Sequence, residues 1–189
     1  MGLDASTTTI GLAIIDYDDN SVKLAHTEYY KPPKEGELFS RLDAVRSYIS
    51  SKIDEFKPDD VALEDIILFM KGASSAVTIT SLAVLNRTVG LTVLNKLNKP
   101  PCLIGVVRTR NLIKIGPDAP DKAHIPETVA SILGIDFPYI MNKRGKPIEE
   151  NFDVADSIGV ALAFIKLPVE QRGLANLPKK KKKRKVKKK

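Results

Sequence analysis

The chain opens with MGLDASTTTIGLAIID, residues 1–16, and this stretch sets the expectation for the whole fold. Apolar runs on both sides of a short polar turn are typical of two buried β-strands. Asp4 ends the first run, where an ionised carboxylate is costly unless it is paired or binds a metal. Asp4 is therefore a candidate metal ligand. The alternative is that Asp4 only caps the turn between Ser6 and Thr9.

Hydrophobic periodicity divides the rest of the chain into strands and helices. The pattern predicts further strands over residues 22–30, 60–67 and 100–107, and helices over residues 38–56, 77–97, 121–133 and 152–165, the last one capped by Asn151. The first three strands are expected to form an antiparallel meander. The helix over residues 77–97 has a wider apolar surface than one amphipathic stripe needs. We therefore expect it to be either deeply buried or shared with a second subunit.

Three further carboxylates lie at the ends or edges of apolar segments. Glu64 ends the apolar part of its strand, and Asp153 and Asp156 share one face of the last helix. The helix dipole favours an acid such as Asp153 in the first turn, but it explains Asp156 less well. Together with Asp4, these residues predict a site for Mg²⁺ or Mn²⁺, because hard cations select oxygen ligands. A pair of such ions can catalyse phosphodiester hydrolysis.

Charge is distributed unevenly along the 189 residues. Residues 179–189 carry ten Lys or Arg and no acid, so residues 1–178 have a net charge of −3 although the whole chain has +7. The lysine-rich tail cannot bury apolar surface, and we expect it to be disordered. The lone Cys102 is typical of a reducing intracellular compartment. Charged or polar residues interrupt every apolar stretch before the roughly 18 residues of a membrane span, so we expect no membrane association.

Four motifs occur in an order that indicates a family. GLD at residues 2–4 is followed by TIGLA at 9–13, ALE at 62–64 and DVADSIGVA at 153–161. This order resembles the RuvC-like Holliday junction resolvases of the ribonuclease H-like superfamily, over nearly all of residues 1–166. The resemblance implies an α/β fold in which helices flank a mixed five-stranded sheet. It also implies a nuclease domain over residues 1–168. The composition of residues 169–189 predicts that a polar linker and a disordered lysine-rich tail follow this domain.

The resemblance assigns catalytic roles to five residues. In such a protein, the acids at the motif positions would bind two Mg²⁺ or Mn²⁺ ions per active site and catalyse cleavage; they are Asp4, Glu64, Asp153 and Asp156. GPDAPDK at residues 116–122 is similar to an Ala-Asp-Lys turn of the family, which implies that Lys122 lies near the scissile phosphate.

The resemblance and the positions of basic residues also suggest contacts to DNA. The family segment after the strand-borne Glu brings an aromatic and basic residues to the junction centre, which implies this role for Phe69 and Lys71. For Phe69, core packing is an equal alternative. The full set of candidates is Phe69, Lys71, Arg108, Arg110, Lys122, Lys143 and Arg144. The last two belong to a basic loop, for which the alternative is a solvated surface without function.

A protein of this family would be a crossover junction endodeoxyribonuclease that nicks opposing strands of a four-way DNA junction symmetrically. The implied partners are branched DNA, a second copy of the chain in a homodimer, and a branch-migration helicase. The implied location is the cytoplasm, at the nucleoid. The lysine-rich tail would add sequence-independent attraction to nucleic acid, or it would act as a nuclear localisation signal and place the protein in the nucleus.

Other interpretations are open at this point. A RuvC-like nuclease could instead act on structured RNA or on the DNA of a mobile element. A DNA-binding module without catalysis could use the four acids structurally, in which case Asp4→Asn would leave its biochemistry unchanged. The actin-like ATPases share a loop similar to residues 4–11, but they need a duplicated domain, for which this chain is too short.

Overall fold

Five β-strands form one mixed sheet in the computed structural model, which describes residues 1–66 and 75–172. The strands are β1 (Gly2–Ala5), β2 (Ile10–Tyr17), β3 (Val22–Tyr30), β4 (Ala62–Asp65) and β5 (Cys102–Gly105). Their order in the sheet is β3-β2-β1-β4-β5. The first three are an antiparallel meander, whereas β4 and β5 run parallel to β1. The predicted α/β class with a mixed five-stranded sheet is confirmed.

Helices connect and cover the strands. The described residues form α1 (Leu38–Phe56), α2 (Ala76–Leu97), α3 (Val106–Ile113), α4 (Ile125–Leu133) and α5 (Asn151–Lys166). Short 3₁₀ turns lie before α4, at Lys122–His124, and after α5, at Val169–Gln171. Parallel strands cannot be joined by a tight turn, which is why a helix follows each strand before the next parallel one.

The predicted boundaries are correct for α1 and nearly so for α2, but not for the fifth strand. α1 ends at Phe56 as predicted, before Lys57 in a left-handed conformation with φ of 45°. α2 begins directly after its N-cap residue Ser75, one residue earlier than predicted. The strand predicted over residues 100–107 is shorter, because Val106 already begins α3.

Side chains of the central strands alternate between two faces, and each face has its own apolar layer. Leu3, Leu12 and Leu63 are fully buried beneath α1 and α2. On the opposite face, the smaller Ala13 and Ala62 pack against the layer that α3, α4 and α5 supply. Small side chains on this face let α5 approach the sheet closely.

The long helix α2 lies partly in the core and partly at the surface. Leu85, Val89 and Val93 are buried, whereas Val77 and Leu91 are 75% and 59% exposed. By length and hydropathy alone, α2 would also suit a membrane span, but its inner side packs on α1 and β1. Its wide apolar surface is therefore divided between the core and an exposed strip.

Two glycines place the backbone of α5 directly against the sheet. A Cβ atom on Gly11 would lie 2.1 Å from the carbonyl oxygen of Asp153, and one on Gly2 would lie 2.2 Å from that of Ser157. No side chain fits at either distance, so both positions require glycine in this packing. These contacts set the height of α5 above β1 and β2.

The basic segment before α5 is a short β-hairpin, whereas the sequence predicted only a loop. An antiparallel bridge and a backbone hydrogen bond from the Ile148 amide to the Ile140 carbonyl close it. We call residues 140–148 the basic hairpin. Asn151 does not cap α5 as predicted; it is the first residue of the helix, and its side chain binds Ile140 and Ile148 instead.

Ordered structure continues beyond the domain boundary predicted at residue 168. Val169–Gln171 form a 3₁₀ turn. The Arg172 guanidinium donates hydrogen bonds to the carbonyls of Ile165 at 3.0 Å and Leu167 at 3.2 Å. The segment predicted as a polar linker therefore begins with a turn that is tied back to the end of α5.

Candidate active site

Asp4 and Glu64 lie side by side at one edge of the sheet. In the parallel pair of β1 and β4, Leu3 is in register with Leu63, so the next residues along the two strands, Asp4 and Glu64, are neighbours. Adjacent strands are about 4.8 Å apart. Since Leu3 and Leu63 face α1 and α2, alternation turns both carboxylates toward α5.

α5 brings the other two predicted acids to the same point. Asp4 is the cross-strand partner of Gly11, and Gly11 lies directly against the backbone of Asp153. Asp156 follows about one turn later on the same face of the helix. All four acidic residues are partly buried. The fold therefore brings together carboxylates that are far apart in the sequence, since Asp4 and Glu64 lie in its first half and Asp153 and Asp156 lie near its end.

Burial and mutual repulsion raise the pKa of the carboxyl groups in this cluster. Burial, followed by the charge of Glu64, holds the pKa of Asp4 well above its usual 3.8. Burial, followed by the charge of Asp156, raises the pKa of Glu64 from 4.5 to about 8. Burial is also the main reason why the pKa of Asp156 rises to about 6. Without a cation, this cluster retains protons near neutral pH.

Two basic residues reduce the repulsion among the acids. Lys122 lowers the pKa of all four carboxyl groups against the effect of burial, and Arg110 lowers those of Glu64 and Asp156. The Nε atom of Arg110 is buried, and it has no hydrogen-bond partner among the described residues. Lys122 is exposed. Lys122 and Arg110, which were both predicted to contact DNA, therefore stabilise negative charge in the acid cluster. They would also attract a phosphate group that binds there.

The other predicted contact residues lie elsewhere. Arg108 donates a hydrogen bond to Gln171 at 2.6 Å, and it does not share a face of α3 with Arg110, because residues two apart on a helix point in different directions. Lys143 and Arg144 are exposed on the basic hairpin. Predictions that fall outside the described residues are those for Phe69, Lys71 and residues 179–189.

Two clefts border the acid cluster. The larger one has a volume of about 770 Å³ and is lined by Asp153, Lys122, Lys31 and Lys34, among others. The smaller one, of about 130 Å³, is lined by Asp4 and Glu64, and Ser6 lines both clefts. Sequence analysis did not single out Lys31 and Lys34. The signal was the Lys-Pro-Pro-Lys segment directly after the third predicted strand.

Asn86 is a second residue that the sequence analysis missed. Its side-chain amide is 1% exposed and donates a hydrogen bond to the carbonyl oxygen of Glu64 at 2.8 Å. The Arg87 guanidinium donates to Asn86 Oδ1 at 3.0 Å and to Asp65 at 3.4 Å. This network ties the end of β4 to α2 and so fixes the backbone that carries Glu64. The signal was an amide that directly follows the apolar run at residues 82–85.

The chemistry of the acid cluster suits a hard divalent cation. Four carboxylates supply oxygen ligands, and a bound cation would remove the repulsion that raises their pKa values. Within residues 1–66 and 75–172, however, no group of three or more Asp, Glu, His or Cys side chains is placed to hold a metal ion as it stands. The four side chains would have to draw together around the ion, and the metal site stays a prediction.

Solved structures with a similar fold are Holliday junction nucleases. T. thermophilus RuvC in complex with a Holliday junction substrate matches with a TM-score of 0.65 at 17% identity, over 87% of this chain and 90% of that chain. The yeast mitochondrial Holliday junction resolvase Ydc2 matches with a TM-score of 0.62 at 13% identity, over 87% of this chain and 76% of the other. At these identities, the likeness shows the fold.

Sequence comparison points to the same family. Crossover junction endodeoxyribonuclease RuvC of Finegoldia magna is 29% identical over 166 residues, which are 87% of this chain and 91% of that protein. The family model described as crossover junction endodeoxyribonuclease RuvC matches residues 1–99, the part that holds Asp4 and Glu64. This match spans more than half of the sequence and confirms the resemblance read from the motifs. The chain belongs to the crossover junction endodeoxyribonuclease RuvC family.

Proposed function

We propose that this protein is a structure-selective endodeoxyribonuclease that resolves four-way DNA junctions by metal-dependent, symmetric nicking of phosphodiester bonds. One observation carries the proposal: the acids from β1, β4 and α5 form one mutually repelling cluster beside Lys122 and Arg110. Membership of the RuvC family supports this activity. The likeness in fold to a RuvC bound to a Holliday junction substrate supports branched DNA as the substrate.

The proposed cofactor is Mg²⁺ or Mn²⁺, with two ions in each active site. Asp4, Glu64, Asp153 and Asp156 would hold them. Divalent ions supply activation of the attacking water and stabilisation of the leaving oxygen in phosphodiester hydrolysis. The raised pKa values support a cation site, since ligands that repel one another when ionised are stabilised by a positive charge between them.

The basic residues beside the cluster would bind and orient the cleaved phosphate. Lys122 is exposed and acts electrostatically on all four acids, so its ammonium group can reach a phosphate that enters the cluster. Arg110 has a buried Nε–H without a partner among the described residues, and a buried unpaired donor gains free energy when an acceptor arrives. We therefore assign Lys122 to the scissile phosphate and Arg110 to charge compensation.

We further propose that the active form is a homodimer whose two sites cut opposing strands. The exposed strip of α2, with Val77 and Leu91, offers apolar surface for such contact. A branch-migration helicase is the proposed additional partner. The proposed location is the cytoplasm, at the nucleoid, with the nucleus as the alternative if the lysine-rich tail serves as a localisation signal.

The direct test uses the pure protein and a labelled mobile four-way junction, with and without Mg²⁺. We expect paired nicks only with Mg²⁺, and we expect Asp4→Asn to abolish cutting while junction binding is kept. Asp43→Asn is a matched control, because Asp43 is exposed on α1 in an ion pair with Arg46. Linear duplex and structured RNA are compared in parallel. Equal cutting by Asp4→Asn would disprove the catalytic assignment, and faster cutting of RNA would replace the proposed substrate.

A further inference from the structure

Three cations on the basic hairpin have no acidic partner among the residues that the structure describes. Lys143, Arg144 and Lys146 are exposed, and none of the ion pairs between described residues includes them. Glu150, the nearest acid along the chain that forms an ion pair, is paired with Lys31. Since residues 1–178 have a net charge of −3, this concentration of positive charge is a local exception. It can attract a polyanion although the net charge of residues 1–178 is negative.

The tip of the hairpin is held in one conformation by Asn142. The Asn142 Oδ1 atom accepts hydrogen bonds from the backbone amides of Arg144 at 2.8 Å and Lys146 at 3.2 Å. Gly145 completes the turn with φ of 69°, which residues other than glycine rarely adopt. Because the backbone under the cations is already ordered, little conformational entropy is lost when they bind a partner.

The base of the hairpin is held on α5 by Asn151. This side chain is 2% exposed; its Oδ1 atom accepts from the Ile140 amide at 2.8 Å, and its Nδ2 atom donates to the carbonyls of Ile140 and Ile148 at 2.9 Å each. One acceptor and two donors on a short side chain are available only from asparagine. Since Asn151 begins the helix that carries Asp153 and Asp156, the hairpin and these acids belong to one unit.

The incoming strand of the hairpin has its own anchor. The Phe137 ring is 9% exposed in the core beneath α4 and α5, and it packs edge-on against Tyr139 with ring centres 4.7 Å apart. The Tyr139 hydroxyl donates to Glu127 of α4 at 3.2 Å. The hairpin is therefore fixed at both of its ends.

The hairpin tip is close enough to the acids for both to contact the same nucleic acid. Asn151 and Asp156 are five residues apart, or about 8 Å along the helix axis. The tip lies about four residues from the base, which adds at most about 13 Å, reached only if the hairpin continues along the helix axis. Cations at this distance would meet the backbone within about six base pairs of the cut, at 3.4 Å for each pair.

We propose that the basic hairpin is a rigid phosphate-binding arm, positioned by Asn151, that contacts the duplex DNA flanking the cleaved bond. Lys143, Arg144 and Lys146 bind backbone phosphates, and Asn142 and Asn151 are positioning residues. The inference rests on the proposed junction-cutting function and names a contact surface for that substrate. It predicts affinity without sequence preference, because phosphate contacts carry no base information.

The first experiment compares two triple variants of the protein. Lys143→Ala/Arg144→Ala/Lys146→Ala removes the proposed contacts. Lys23→Ala/Lys57→Ala/Lys99→Ala removes the same charge from the opposite end of the sheet, where Lys23 pairs with Asp16 in the strand register. We expect the hairpin variant to weaken junction binding by about 10- to 100-fold and to lower the salt slope of log K by about 2 to 3, whereas the control variant should change neither.

Footprinting locates the contact on the DNA. With wild type, we expect backbone protection to extend up to about six base pairs from the cut, and we expect the hairpin variant to lose the outer part only. Equal affinity and equal footprints for the two triple variants would overturn the inference. If wild type itself neither binds nor cuts junctions, the proposed function has failed instead, and the two failures are therefore distinguishable.

The second experiment tests Asn151 as a positioning residue by a double-mutant cycle. Asn151→Ala alone should weaken binding by about 5- to 30-fold, because the arm is no longer held on α5, and it should add nothing when combined with the triple hairpin variant. A purely structural role would lower affinity equally in both backgrounds, and that result would overturn the positioning assignment. Asn142→Ala provides a second variant, at an exposed position where loss of the fold is not expected.

Discussion

Replacing Glu64 by glutamine should stabilise the metal-free protein at alkaline pH. At alkaline pH the Glu64 carboxyl group must ionise in a buried position beside other acids. Burial, together with the charge of Asp156, raises its pKa from 4.5 to about 8. In the unfolded chain the same group ionises near its ordinary pKa. The folded state therefore binds more protons than the unfolded state between these two values, and its stability falls as the pH rises through that interval. Glutamine has the same shape and no charge to desolvate.

The size of the effect follows from the two pKa values. A rise from 4.5 to about 8 corresponds to about 4 kcal/mol at pH 8, and to less than about 1 kcal/mol at pH 5, which lies only about half a pH unit above the pKa of the group in the unfolded chain. Because part of the repulsion is shared with the neighbouring acids, we expect a gain of about 2 to 4 kcal/mol at pH 8.

The assay is urea unfolding in the presence of EDTA at pH 5 and pH 8. Wild type should lose stability between the two values, whereas Glu64→Gln should lose much less. Asp54→Asn is a matched control, since Asp54 is exposed and forms an ion pair with Lys96 far from the cluster. If Glu64→Gln is no more stable than wild type at pH 8, Arg110 and Lys122 already compensate the carboxylate, and the argument from repulsion is refuted.

Further predictions concern packing, the metal, the supporting network and assembly. Gly11→Ala should destabilise the protein by about 2 to 4 kcal/mol in urea unfolding, because a Cβ atom would lie 2.1 Å from the Asp153 carbonyl oxygen; unchanged stability would contradict the close contact. Mg²⁺ at 10 mM should raise the Tm of wild type at pH 8 but not that of Asp4→Asn, which calorimetry can measure. Asn86→Leu should cost about 1 to 3 kcal/mol, because the Glu64 carbonyl at the end of β4 loses its buried donor. Leu91→Asp should shift sedimentation from dimer to monomer while the fold, followed by circular dichroism, is kept.

The sequence predicts the sheet and most helix boundaries because their periodicity is local. Alternation in the first 30 residues and helical spacing over residues 38–56 are decided by which side chains must be buried. The boundary at Val106 was missed because β-branched residues suit both a strand and the first turn of a helix. The basic hairpin was missed for a different reason: its base is held on α5 by the side chain of Asn151, and no local pattern in the sequence indicates such a contact.

The acids of the candidate site could be predicted because an ionised group at the end of a buried apolar segment costs free energy unless it is paired or binds a metal. Their arrangement could not be predicted from the same rule. It depends on Gly2 and Gly11, which allow the backbone of α5 to contact the sheet directly. The sequence alone does not indicate which helix packs against these glycines. Lys31 and Lys34 were overlooked because a lysine in a loop is usually solvated, and only the cleft they share with Asp153 distinguishes them.

The glycine contact between β2 and α5 also bears on how the protein is made. Asp4 leaves the ribosome about 150 residues before Asp153, so a growing chain holds one part of the cluster long before the other. At a synthesis rate of about 5 to 20 residues per second, roughly 7 to 30 seconds separate the synthesis of Asp4 from that of Asp153. Until α5 arrives, one face of β1 and β2 has no cover. The nascent chain thus lacks the complete acid cluster, and it is also vulnerable to aggregation, until α5 has been synthesised.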